Sequence, residues 1–287
     1  MSVGVVGPGR VGAVLAAALG AGGTRVTGWS GRGSTQPSAA MPPVPRLVLA
    51  DLVAASDVVL LAVDDEQIPR VVEDLATLRP TRVPTGRPRI AWHVSGRLGV
   101  GVLAPLMPGG HWSAVAAAPA MTFTGEPGDL DRIAGSRWAV TGDAEGLAVV
   151  GHLIDGLGGV TVPVAEADRT LLHTALSLAS NHLVTIQRAA AELLRGIGID
   201  DPTAFLRPLA QAALADAWGA EPRFTGPVSR GDSAAVSEHL RVIIEDGPTA
   251  RLYAALTQAT TVQALAAGVL SREQAEAIVS ATAGKAG

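Results

Sequence analysis

Apolar and polar positions fall into two regimes along this chain. Through residue 165, short apolar runs alternate with helical stretches. The runs lie at 2–6, 24–29, 57–63, 89–94, 115–118, 138–141 and 160–164, and each reads as a strand. Between them, 13–19, 51–55, 68–78, 98–106 and 143–157 have helical character. The run at 57–63, DVVLLAV, is almost unbroken, as expected of a parallel strand buried on both faces. Pro163 interrupts the last run and predicts an edge strand. Strand–helix alternation of this kind predicts a doubly wound parallel sheet.

After residue 165 the pattern changes, and no strand is predicted. Residues 166–195 read as one long helix with apolar positions at Leu172, Leu176, Ala179, Leu183 and Ile186. Further helices are expected from Asp201-Pro202 to about 218, at 233–245, at 249–268 and at 271–281. Ser271 and Gln274 have the spacing of a capping box. Two domains follow, an α/β domain at 1–165 and an all-α domain at 166–287.

The first strand runs into Gly7, Pro8, Gly9, Arg10, Val11 and Gly12, and a helix follows at once. Strand, G-x-G-x-x-G and helix together form the phosphate-binding turn of a Rossmann domain. Gly7 permits the tight turn, Gly9 lets backbone approach a pyrophosphate, and Gly12 lets helix and strand pack closely. The second strand ends in Ser30, Gly31 and Arg32, where NAD-binding domains place an acid for the ribose 2′-hydroxyl. A hydroxyl and a guanidinium suit a 2′-phosphate, so NADP is expected rather than NAD. Arg32 as a solvated loop residue is the plainer alternative. The backbone of Ala62, Val63 and Asp64, at the carboxyl end of the third strand, is expected to wall the nicotinamide ribose.

Composition narrows the function classes. Among 287 residues the net charge is −4, which does not suggest a nucleic-acid partner. There is no cysteine, hence no disulfide, thiolate metal site or cysteine nucleophile, and the scattered histidines predict no metal. No apolar run reaches membrane-spanning length, and a core strand opening at residue 2 leaves no room for a leader. A cytoplasmic protein acting on a small molecule is expected.

A hydride carrier needs a proton donor beside the acceptor double bond. The two-domain layout predicts that pocket in a cleft between the domains. His93 and Ser95 follow a parallel strand; His93 could serve there or be a satisfied core histidine, and Ser95 could bind substrate or turn the chain. His173, Ser177 and Asn181 share one broad face of the long predicted helix. They are catalytic candidates, with mutual i,i+4 hydrogen bonds as the alternative. Arg230 could clamp a substrate carboxylate, and Asp232 could cap the following helix, or the two could pair.

The segments GVVGPGRVG, DVVLLAVDDEQI, HVSGRLGVGVLAPL, PAMTFTGEPGDL, HTALSLASNHLVT and GPVSRGDSAAVSEHL cover much of the chain. In them the chain resembles bacterial proteins that join a Rossmann-like domain to DUF2520. That family is similar to the wider group of pyrroline-5-carboxylate reductase, ketopantoate reductase and 6-phosphogluconate dehydrogenase. The resemblance implies NADP binding, a helical C-terminal domain and a homodimer built through it. It departs from the family at Ala118-Pro119, where His-Pro is usual, and no lysine precedes Lys285 to act as the proton donor of the related reductases. His173, or a relay through Asn181, would take that role. The expected function is NADP-dependent reduction of a small keto or imino acid. The alternative is a catalytically silent NADP-binding sensor or partner-interaction protein.

Overall fold

The computed structural model describes residues 1–78, 86–219 and 224–283. The loop expected at 81–88, part of the loop before Asp232, and Lys285 therefore lie partly or wholly outside the described residues. Two compact units divide the chain, Met1–Ser180 and Asn181–Gly287.

The first unit is built on a seven-stranded sheet. Its strands are β1 (Ser2–Val6), β2 (Arg25–Ser30), β3 (Val58–Leu61), β4 (Arg89–His93), β5 (Trp112–Pro119), β6 (Arg137–Gly142) and β7 (Val160–Pro163), in the order β2-β1-β3-β4-β5-β6-β7. Helices α1 (Arg10–Ala21), α2 (Leu49–Ala55), α3 (Ile68–Thr77) and α4 (Ala144–Gly156) accompany it. The unbroken apolar run of β3 is explained by burial on both sides. Val58 and Leu60 enter one core cluster with Val3, Val14 and Leu15, while Val59 and Leu61 enter another with Leu52, Val72 and Leu75. Trp92 and Trp138 meet in the first cluster with ring centroids 6.0 Å apart, and each indole N–H is bonded, to the Ala117 carbonyl and to Ser136 Oγ.

One strand departs from the expected pattern. β6 runs antiparallel to β5, while the other neighbouring pairs are parallel. A parallel pair needs a crossover, usually a helix. Between β5 and β6 the chain makes only a short 3-10 turn at Pro127–Arg132. The Asp129 carboxylate, buried at 1% exposure, gathers the Thr124 and Gly125 amides and turns the chain back. Strand direction is set by that connection, not by the strand's own apolar pattern. β7 is an edge strand, with Pro163 as its last residue.

The long helix expected at 166–195 begins with a 3-10 turn and is interrupted. Glu166–Asp168 form the turn, α5 spans Arg169–Ser177, a π-helical turn covers Leu178–His182, and α6 spans Leu183–Gly196. The division between the two units falls inside the π turn.

The second unit holds α6, α7 (Pro202–Ala217), α8 (Ser233–Val242), α9 (Gly247–Ala266) and α10 (Arg272–Thr282). Its caps were legible in the sequence. Asp201 accepts from the Ala204 amide ahead of Pro202, and Ser271 and Gln274 exchange both bonds of the capping box. Val228, Val236, Leu240, Ala254 and Ile278 form its core. α6 buries no side chain and α7 buries only Pro202. Among the described residues no helix is long and apolar enough to cross a membrane.

Candidate functional site

The site begins at the turn between β1 and α1. Gly7 has φ +96°, a left-handed conformation that favours glycine, and its amide donates to the Ser30 carbonyl at 2.9 Å. A Cβ at Gly7 would stand 2.5 Å from the Ala62 carbonyl oxygen, and one at Gly12 would run into the Gly7 carbonyl oxygen. Protein packing therefore demands glycine at both positions. Gly9 differs: its φ is an ordinary −72°, and a Cβ there would meet no protein atom within 4 Å. Gly9 is also the N-cap of α1 and offers no side chain to the first amides of the helix.

In front of this turn lies a pocket of about 700 Å³. Of the residues expected to bind a cofactor, Gly7, Pro8, Gly9, Ser30, Gly31, Arg32, Ala62 and Val63 line it. Arg10, Val11 and Gly12, in the first turn of α1, are not among its lining residues. Strand order explains the location. The chain moves from β1 to β2 on one side and to β3 on the other, so the crevice opens beyond the carboxyl ends of these strands.

The loop after β2 is held from behind by Arg46, which the sequence reading did not single out. Its guanidinium lies 5.3 Å from the Trp29 ring centroid and donates to the Gly31 and Gly33 carbonyls at 2.8 and 2.7 Å. The only available signal was indirect, an arginine beside an apolar run after a proline-rich loop. Arg32 reaches across the pocket to Asp74 on α3.

Beyond β4 a second constellation gathers. His93 is fully buried. Its Nε2 lies 3.0 Å from the Gly99 carbonyl oxygen and must donate there, while Nδ1 accepts from the Ser95 amide at 3.3 Å. Burial drives its pKa down to about 4; the Gly99 carbonyl opposes that shift and the Arg169 charge adds to it. Ser95 Oγ accepts from the Arg97 and Leu98 amides, so Ser95 turns the chain. A Cβ at Gly96 would stand 3.0 Å from His173 Nδ1, which places the exposed His173 ring directly on this loop. Arg97 pairs with Asp65 at 3.3 Å and so ties the loop to the segment after β3.

Two residues absent from the sequence reading hold the loop. Glu166 accepts from the Val100 and Gly101 amides at 2.9 and 3.0 Å. Arg169, 1% exposed, donates to the carbonyls of Leu98 at 2.6 Å and Ser95 at 2.9 Å, and to Thr141 Oγ1 at 3.0 Å. A signal existed, since Arg169 continues the apolar stripe of Leu172 and Leu176 backwards by three residues. A charge at such a position must find buried partners.

The remaining candidates are distributed differently. Ser177 lies on α5 with His173, one turn later. Asn181 lies in the π turn, so uninterrupted α-helical spacing joins only His173 and Ser177. In the second unit Asp232 caps α8, accepting from the Ala235 amide at 2.9 Å. Among the described residues no ion pair joins Arg230 to Asp232, and Arg230 is exposed.

Fold and crevice together define a doubly wound α/β protein with a helical second unit. Residues 1–115 match the Rossmann-like domain, and residues 136–260 match DUF2520, a domain of unknown function. No curated protein matches it in sequence. Among solved structures, protein BF3122 of Bacteroides fragilis superposes with a TM-score of 0.73 at 20% identity, over 90% of this chain and 96% of that one. The imine reductase of Myxococcus stipitatus, in complex with NADP+, gives 0.62 at 18% identity, over 91% and 95%. The pyrroline carboxylate reductase of Plasmodium falciparum, with NADP bound, gives 0.57 at 10% identity, over 100% and 98%. At these identities the likeness is one of fold.

The His93 environment predicts a pH dependence of stability. The folded ring, with its pKa near 4, stays neutral where the unfolded ring, near 6.5, takes a proton. The contribution is therefore complete above about pH 6.5 and is lost as pH falls towards 4, to a total of about 3 kcal/mol. Urea unfolding at pH 7, 5.5 and 4.5 should show this decline, and His93→Gln should flatten it. A parent protein equally stable across that window would refute the assignment.

Proposed function

We propose that this protein is an NADP-dependent oxidoreductase that reduces a small keto or imino acid. The observation that carries the reading is Gly9. Neither its backbone angle nor any protein neighbour requires glycine there, yet it faces a pocket of about 700 Å³ at a helix N-terminus. Backbone approach by a pyrophosphate accounts for it. The imine reductase and pyrroline carboxylate reductase of like fold carry NADP in their structures, which supports the same coenzyme here.

Bound NADPH supplies a hydride to the carbon of a C=O or C=N bond. The residues of this chain supply the rest. Amides at the start of α1 and the backbone of Gly7 and Gly9 hold the pyrophosphate. Ser30 and Arg32 hold the 2′-phosphate, and Ala62 and Val63 wall the ribose. His173 holds the proton that the acceptor oxygen or nitrogen takes up. His93 and Ser95 shape the loop on which His173 rests, and Arg169 at Ser95 and Leu98 and Glu166 at Val100 and Gly101 fix it. Ser177, one turn after His173 on α5, orients the acceptor group. His93, buried and neutral, acts by positioning.

A second reading rests on Ala118. It is 7% exposed on β5, where a methyl group offers no acid or base. Under this reading the chain binds NADP without turnover.

We also propose a homodimer through the helical unit. Phe205, Leu209 and Trp218 are 64%, 67% and 79% exposed on or just after α7. A second copy of the same face is the simplest cover for such a surface.

Fluorescence titration tests the cofactor assignment: the parent should bind NADPH more tightly than NADH. Gly9→Ala should weaken both at least about tenfold with little change in unfolding midpoint. Equal or tighter NADH binding would defeat the NADP assignment. On a panel of keto and imino acids, His173→Ala should lower kcat by about 10²-fold or more with cofactor affinity retained. An unchanged rate removes His173 from the chemistry, and no hydride transfer by the parent on any substrate favours the silent reading. Sedimentation equilibrium should give twice the chain mass, and Leu209→Glu should shift it towards the monomer. A monomeric parent would end the dimer proposal.

A further inference from the structure

We propose that Arg32 and Asp74 form a two-way selector for the 2′ position of the bound nucleotide. Arg32 takes a 2′-phosphate, Asp74 accepts from a 2′-hydroxyl, and each holds the other until a nucleotide arrives. This rests on reading the pocket as a dinucleotide site.

The usual acid is missing from the end of β2, which reads Ser30, Gly31, Arg32. An acid reaches the same place from α3. Arg32 Nη2 lies 3.2 Å from Asp74 Oδ2, across 42 residues of sequence, and both side chains line the pocket that holds Gly7, Gly9 and Ser30. The two side chains are 46% and 52% exposed. An ion pair so open to water is weak and easily exchanged.

The backbones beneath the pair are held. Arg46 fixes the Gly31 and Gly33 carbonyls, and Thr35 Oγ1 donates to the Arg32 carbonyl. Thr77 Oγ1 donates to the Asp74 carbonyl at 2.7 Å. A nucleotide therefore changes the side-chain partners without rebuilding the loop or the helix.

Chemistry assigns the two outcomes. A 2′-phosphate carries only acceptors and up to two negative charges, so it draws the guanidinium and is repelled by the carboxylate. Arg70 also lines the pocket, and its i,i+4 spacing from Asp74 lets it take the released carboxylate. A 2′-hydroxyl is a donor that a guanidinium cannot accept and a carboxylate can. One pocket thus carries both an arginine for NADP and a remote acid for NAD. Asp74 sets how strongly the first is preferred.

Binding of NADPH and of NADH to the full chain, followed by fluorescence at fixed ionic strength, tests this without any substrate. Asp74→Ala should tighten NADPH roughly three- to tenfold and weaken NADH by a similar factor. Asp74→Asn, which keeps an acceptor and loses the charge, should tighten NADPH and leave NADH nearer the parent. Arg32→Gln should weaken NADPH alone. An Asp74→Ala protein, folded by its unfolding midpoint, whose NADPH-to-NADH affinity ratio stays within about twofold of the parent overturns the selector. A parent that binds neither nucleotide overturns both the selector and the pocket reading. A parent without preference, whose ratio still shifts in Asp74→Ala, removes the NADP assignment and supports the selector.

Discussion

The first unit depends on one close approach, that of α1 to the turn after β1. Gly12 lies so near the Gly7 carbonyl that a single methyl group cannot fit between them, and Gly7 in turn sits under the Ala62 carbonyl. Three backbone segments, from β1, α1 and the end of β3, are thereby pressed together with no side chain between them. The amino end of α1 is forced to the carboxyl edge of the sheet. The positive end of the helix and the mouth of the crevice then coincide, because the contacts allow no other arrangement. Gly9, the glycine that packing does not require, is the one that faces open space.

What could be read from the chain follows the range of the interactions. The β1–α1 turn was legible because its determinants are local: three glycines within six residues, a strand before them and a helix after. Helix caps at Asp201, Asp232 and Ser271 were legible for the same reason. The direction of β6 was not, since it depends on Asp129 gathering amides in a connection with no periodicity. The π turn at Leu178–His182 was not legible either. Its residues, LASNH, carry no proline or glycine to mark a departure from α geometry, and the shared face inferred for His173, Ser177 and Asn181 relied on that geometry. Asp74 was hidden by distance, since it meets Arg32 only through the fold.

The start of the long helical run shows how a charged segment can serve structure and site together. Glu166 accepts amides at the beginning of the 3-10 turn Val100–Leu106, and Arg169 takes carbonyls that the 95–98 loop leaves unpaired. A buried guanidinium without a bonded carboxylate is costly unless several acceptors surround it. Here the Ser95 and Leu98 carbonyls of the loop after β4, the Ala116 carbonyl of β5 and Thr141 Oγ1 of β6 provide them. The loop gains rigidity from the same bonds that make the arginine tolerable.

That arrangement also sorts the two histidines at this end of the sheet. Arg169 and burial both disfavour the charged form of His93, whose single ring proton is committed to the Gly99 carbonyl. A histidine so placed can hold a loop but has no proton to give at neutral pH. His173 lies on the exposed side of the same loop, over Gly96, where water can reach it and the absent Cβ makes room for it. If one imidazole near this crevice handles protons, burial has decided which one, and α5, anchored at its first residue by Arg169, decides where it stands. The glycine turn and the arginine anchor are thus two ends of one construction. The first sets the amino end of α1 at the pocket, and the second sets His173 over the loop that follows β4.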